Sequence, residues 1–246
     1  MPSKCYATAA TIRSCRLTTI KMETLHETIR IIRNQLRLAM NGVTASSMRE
    51  KGLRYKLNFG VSYPEIKAIA QQHEPNTSLA HALWAEDCRE LKILATLLQP
   101  MQAFPKQDAL RWIEEAPYPE IAELLSKHLL ARLPYAEELT EELYTRTDLP
   151  FGCAVAFLIQ AERLKGGLSL MPSSAEQMVA EAMRAIDKEA NLFERRAAMQ
   201  ALRFYGRQTT EQAAFLLEQL GRYIQAQPER SLWTDLYNDF KFEFDN

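Results

Sequence analysis

The chain has 246 residues, 47% hydrophobic and 25% charged, with eight glycines and a formal net charge of −1. That balance suits a soluble globular protein, so few glycines argue against a turn-rich all-β design, and a near-zero charge leaves any nucleic-acid surface to uneven placement of cations. No apolar run reaches the ~18 residues of a membrane span, and Cys5, Cys15, Cys88 and Cys153 form no CxxC pair and the histidines no HExxH, so neither a metal site nor a cofactor is expected.

Residues 1–21, "MPSKCYATAATIRSCRLTTIK", contain no acidic residue and are rich in Ser, Thr, Lys and Arg. They read as a disordered or mispredicted extension ahead of Met22, which opens "METLHETIR"; a targeting segment has a similar composition. The domain is expected over 22–246. Cysteines on apolar helix faces suit reduced thiols and a cytoplasmic location.

After Met22 nearly everything reads as helix. Leu25, Ile29, Ile32, Leu36 and Met40 step by four and three along one face, and Asn41-Gly42 ends the run. Residues 43–62 read as a polar, basic connection. Ser62 with Pro64 starts a short helix, "PEIKAIAQQH", because a hydroxyl caps and Pro suits a first turn.

Helix pairs follow: 77–86 with 88–99, 106–116 with 119–132, 135–146 with 150–164, 173–187 with 190–205, and 209–224 with 229–242. Short breaks carrying Pro or acidic residues separate them. In "LWAEDCRELKILATLLQP" (83–100), Asp87 is expected to accept from the free N–H groups opening the second helix. Arg89 is expected to reach a neighbouring turn's carboxylate. Asp187 ahead of Arg195 repeats that pattern. Pairs of this length, stacked, make an all-α class: an α-α superhelix, or solenoid, of HEAT-like helix pairs, whose concave side is the usual binding surface.

Three stretches, "KLNFGVSYPEIKAIA" (56–70), "LWAEDCRELKILATLL" (83–98) and "FERRAAMQALRFYGR" (193–207), together resemble the DNA alkylation repair enzymes, HEAT-like repeat DNA glycosylases. The resemblance covers about residues 25–225. It implies excision of cationic alkylated purines: a fixed carboxylate and aromatic faces stabilise the oxocarbenium-like sugar, and an Arg holds phosphate. Carried over position by position, the family's carboxylate falls on Glu123. Its preceding Trp falls on Pro119, with Tyr118 alongside. The family's Arg falls on Cys153 and its late Trp near Gln200. One position of four keeps its chemistry. Glu123 and Tyr118 are therefore the catalytic candidates, with Glu120, Trp112 and Arg146 in reach of a one-turn slip.

Residues 30–67 hold Arg30, Arg33, Arg37, Arg49, Lys51, Arg54, Lys56 and Lys67, with Tyr55, Phe59 and Tyr63 interleaved. Cations with aromatics in a loop suit a phosphate backbone and exposed bases; the plainer reading is a solvated helix face and an ordinary basic loop. Arg49, Lys51, Arg54, Lys56 and Tyr63 are the DNA-binding candidates. Glu114, Glu115, Glu120 and Glu123 read more readily as a solvated face than as acid–base pairs. Trp84 and Trp112 read as core, and Leu232, Trp233, Leu236, Tyr237 and Phe240 as a cap on the last helix pair. The chain thus reads as a DNA-repair-related monomer binding duplex DNA, alkylated DNA included. The alternative is a HEAT-like protein-interaction scaffold without a DNA role.

Overall fold

The computed structural model describes residues 9–188 and 191–244, with side chains from residue 24. They divide into two compact units, one ending at Ala103 and the other beginning at Phe104. The expected extension over residues 1–21 falls on residues whose side chains, and for 1–8 the backbone too, lie outside the description; from Ala9 the backbone belongs to the first helix.

The first unit contains α1 (Ala9–Leu38), α2 (Gly42–Glu50), α3 (Tyr63–Ala70), α4 (Thr77–Trp84) and α5 (Arg89–Leu98). Ile32 and Leu36 carry the apolar face of α1 into the core, whereas Met40, expected in that stripe, lies past the helix end and is exposed. The connection expected over 43–62 is helical in its first part. Asn41 caps α2, its side chain accepting from the Thr44 amide at 3.0 Å. Ala45 is the one buried residue of α2, so no apolar period announces it. The start of α3 is as expected: Ser62 and Glu65 form a capping box and Pro64 sits in the first turn.

The turn between α4 and α5 differs from the expectation. Cys88, not Asp87, is the N-cap of α5. The Asp87 carboxylate accepts instead from the Lys56 amide at 3.1 Å, and its carbonyl accepts from the Leu57 amide at 3.1 Å. Leu57 and Cys88 form an isolated parallel bridge. Arg89 is buried, donating to the Val61 carbonyl at 3.0 Å and to Glu90, the next residue of its own helix, at 3.3 Å. The acidic break ties a distant loop down because that loop's amides have no helix or sheet of their own.

The second unit contains α6 (Lys106–Glu114), α7 (Pro119–His128), α8 (Ala136–Thr145), α9 (Gly152–Lys165), α10 (Pro172–Asp187), α11 (Leu192–Gly206), α12 (Thr210–Ala226) and α13 (Ser231–Phe244). These are the expected pairs, with ends shifted by a few residues. α9 is buried nearly all round from Ala154 to Ala161 and packs against α7, α8 and α11. Ala154, Ala156, Ala197, Ala198 and Ala201 let α9 and α11 approach closely. Trp112 is core, edge-on to Phe104 at 4.9 Å.

Asp187 is a second correction. Asn191 caps α11, while Asp187 holds Arg230 and Gln227 at 2.8 Å each, fixing the α12–α13 turn. Trp233, Leu236 and Phe240 of α13 are buried, as a terminal cap requires. Glu243 pairs with Arg203 and Arg207 at 2.7 and 2.5 Å.

Candidate nucleic-acid interface

The loop between α2 and α3 is built from the inside outward. Its core side is held by four consecutive residues, Asp87 to Glu90. Glu90 has no exposed surface, and its two carboxylate oxygens accept from the Phe59 and Val61 amides at 3.2 Å each. Asp87 takes the Lys56 and Leu57 amides, and Glu86 pairs with Arg33 of α1 at 2.7 Å. Gly60 has φ +69°, and a Cβ there would meet the Asn41 carbonyl oxygen at 2.3 Å and the Ala45 amide nitrogen at 2.7 Å. Only glycine lets the loop lie this close to the start of α2.

The solvent side of the same segment carries cations. Arg49, Lys51, Arg54 and Lys56 are all exposed. Arg49 rests on the Ser46 hydroxyl at 3.0 Å. Tyr63 is half-buried in the first turn of α3. Tyr55 and Phe59, read from sequence as interleaved with the cations, are buried in the core and offer no face to a base. On α1, His26, Arg30, Arg33 and Arg37 recur at four, three and four and line a cleft of 370 Å³ that also includes Ala82 of α4 and Glu86 of the turn after it. Charge is unevenly divided along the chain. Residues 1–103 have fourteen Lys and Arg against eight Asp and Glu, net +6, and residues 104–246 have sixteen against twenty-three, net −7.

The second unit places the excision candidates as follows. Tyr118 is the N-cap residue of α7 and half-buried; Glu123, in the second turn, is exposed and has no ion-pair partner among the described residues. Tyr118 has an extended backbone ahead of the helix, whereas Glu123 lies five residues on, inside it. Cys153 lies in the first turn of α9, and burial pushes its thiol up to about 11, with Glu194 and Glu181 adding to the rise. A neutral thiol offers a phosphate nothing comparable to a guanidinium. Arg146 forms a two-point pair with Asp148, both contacts at 2.8 Å. Gln200 is half-buried on α11. No group of acidic, His or Cys side chains able to hold a metal occurs among the described residues. No helix among them is long and apolar enough to cross a membrane.

The Glu90 staple was not singled out in the sequence, and Arg30, Arg33 and Arg37, counted there among the cations of 30–67, were not read as a row on one helix face. A signal for the first was available: "DCRELKIL" puts a carboxylate in the first turn of a helix otherwise facing the core, a position that needs donors.

The sequence profile described as DNA alkylation repair enzyme matches residues 32–166, more than half of the chain. The chain belongs to this family. The match spans α2 to α9, including the basic loop and both excision candidates. Comparison with curated proteins returns no match. One solved structure similar to the chain is of a new family of proteins related to the HEAT-like repeat DNA glycosylases with affinity for branched DNA structures. The TM-score is 0.69 at 16% identity, over 78% of this chain and 81% of that one. That similarity establishes the HEAT-like, all-α solenoid class for this member of the family.

Proposed function

We propose that this chain is a DNA-repair-related protein that binds duplex and branched DNA through the basic surface of its first unit and does not itself excise bases. The observation that carries the reading is the combination at residues 49–62: four exposed cations leading into a loop whose Lys56, Phe59 and Val61 amides are held by the exposed Asp87 and the buried Glu90. A fixed row of cations loses little conformational freedom on meeting a phosphate backbone, so counterion release is retained as affinity. The second unit's excess of carboxylates disfavours DNA on that part of the chain. The similar structure's affinity for branched DNA extends the expected ligands beyond linear duplex.

The absence of excision rests on α7. Stabilising an oxocarbenium-like sugar requires a fixed carboxylate beside an aromatic face in a site shielded from water. Glu123 is exposed, and the positions of the family's other aromatic and its Arg carry Gln200 and Cys153. A protein-scaffold role would require the basic segment to meet an acidic protein partner instead.

The test is fluorescence anisotropy with duplex and four-way-junction DNA across a salt series. Replacing Arg49, Lys51, Arg54 and Lys56 by Ser should flatten the log–log salt slope by more than one unit, each phosphate contact contributing ~0.9. An unchanged slope removes this surface from the interface; no binding by the unaltered protein sends the function to the scaffold class. In parallel, no 7-methylguanine or 3-methyladenine should leave alkylated duplex DNA. Release that is lost in Glu123→Gln, with folding intact, would overturn the non-excising reading.

A further inference from the structure

We infer that the turn between α1 and α2 is an apolar wedge that stacks against the base pair laid open at a branch point in DNA, with Leu38, Met40 and Val43 as its contact side chains. The inference rests on the DNA-binding reading above and adds to it the site and the DNA feature recognised. Leu38 is 91%, Met40 60% and Val43 83% exposed, three large apolar side chains within six residues. Scattered exposed apolar residues are ordinary, but a cluster at one turn marks an interaction surface.

The turn is a rigid support. The Ala39 amide donates to Gln35 at 3.1 Å, Met40 to Arg37 at 3.3 Å, and Asn41 to the Phe59 carbonyl at 2.9 Å. Gly60 presses against its back, where no Cβ fits. The side chains are therefore held outward by a backbone that cannot fold them in. Leu38 and Met40 border a cleft of 390 Å³ that also includes Asn41, Thr44, Ser62 and Glu65.

Charge identifies the partner. Arg37 immediately precedes Leu38 and belongs to the α1 arginine row. Arg49 is held on Ser46, one turn along α2 from Val43, and Lys51 ends the same helix. Apolar tips flanked by cations match a ligand with apolar faces between phosphates. Side chains such as Leu and Met act in this way when they unstack or cover base steps while cations hold the adjoining backbone. An intact linear duplex buries its base faces in its own stack. A branch point or a duplex end exposes them.

The experiment compares binding of a four-way junction and a linear duplex of the same sequence at one salt concentration. It uses the full chain and a Leu38→Ser, Met40→Ser, Val43→Ser variant. A 2-aminopurine placed beside the branch point reports stacking directly. The unaltered protein should favour the junction by about tenfold or more, a ratio that one lost stacking contact removes. In the triple variant the ratio should fall to about one, with duplex affinity and salt slope kept, and the 2-aminopurine response should vanish. The changes fall on exposed side chains, and Val43→Ser alone, at an exposed position in the first turn of α2, should lower the ratio part of the way. A junction preference that survives the triple change overturns the inference, as does the lack of any preference with duplex binding intact. A variant that only loses self-association in sedimentation, with its DNA ratio unchanged, overturns it in favour of a protein contact. Failure of the unaltered protein to bind either DNA would instead remove the DNA-binding reading itself.

Discussion

Glu90 is the buried carboxylate among the groups that hold the 51–62 loop. Glu90 accepts from two loop amides and from Arg89, all out of water. Removing one partner from such a set leaves the others desolvated and unpaired, at a cost of ~3–5 kcal/mol. Glu90→Ala should lower the unfolding free energy in urea by about that amount and weaken DNA binding together with it; a change within ~1 kcal/mol would show that the loop is held by other contacts. Two glycines of the same loop give a controlled pair. At Gly52 the φ is +93° and the space is open, whereas at Gly60 a Cβ collides with backbone. Gly52→Ala should cost about 1 kcal/mol of backbone strain, and Gly60→Ala clearly more, because Asn41 and Ala45 would have to move as well. Beside Glu90, burial pushes the Cys88 thiol up to about 12 from an ordinary value of 9.0. The folded state then holds this proton more tightly than the unfolded one. The stabilisation is complete below about pH 9 and is lost as pH rises from there toward about 12. Thermal midpoints should fall over that window, less steeply in Cys88→Ala, and at pH 8 iodoacetamide should label Cys88 only after unfolding.

At the level of elements, what could be read from the sequence was whatever repeats locally. The helix pairs from α4 onward follow from apolar spacing and from Pro at the breaks, and the Ser62–Glu65 box is a signal contained within four residues. α2 escaped because "GVTASSMRE" buries one alanine and so has no periodic face; a side-chain cap and contact with Gly60 define it instead. Asp87 and Asp187 were placed on the wrong partners for a related reason. Capping the next helix is the nearest option along the chain, but the loop at 56–57 and Arg230 are brought in by the fold from thirty and more residues away. The candidate site divides in the same way: the cations of 49–56 could be found by counting, whereas the inward turn of Tyr55 and Phe59 depends on burial that only the fold supplies. α13 provides a test of element packing. Phe240 is fully buried, its ring 5.5 Å from Phe244 and 5.8 Å from the Arg203 guanidinium. Phe240→Ala should cost ~3–5 kcal/mol by leaving a cavity. A loss below ~1 kcal/mol would mean that α13 is not part of the cooperative fold.

For the whole molecule the relevant quantity is where charge lies, since the net value of −1 conceals +6 on one stretch and −7 on the other. Binding set by total charge would respond to any removed cation alike. Binding set by a local field responds only to cations near the phosphates, because exposed charges beyond about 10 Å are screened at ordinary salt. Two variants of equal charge separate these cases. One replaces Arg49, Lys51, Arg54 and Lys56 by Ser; the other replaces Arg111, Lys165, Arg184 and Arg222, each paired with an acid three or four residues away on its own helix. Each removes four positive charges and takes the chain from −1 to −5. The cations of the second set are exposed, and breaking such pairs costs ~0–1 kcal/mol apiece, so that protein should remain folded. The first variant should lose most of its DNA affinity at low salt, and the second should stay within about threefold of the unaltered protein. Equal losses in the two would mean that the chain responds to DNA through its overall charge and that the loop at 49–56 has no special place in binding.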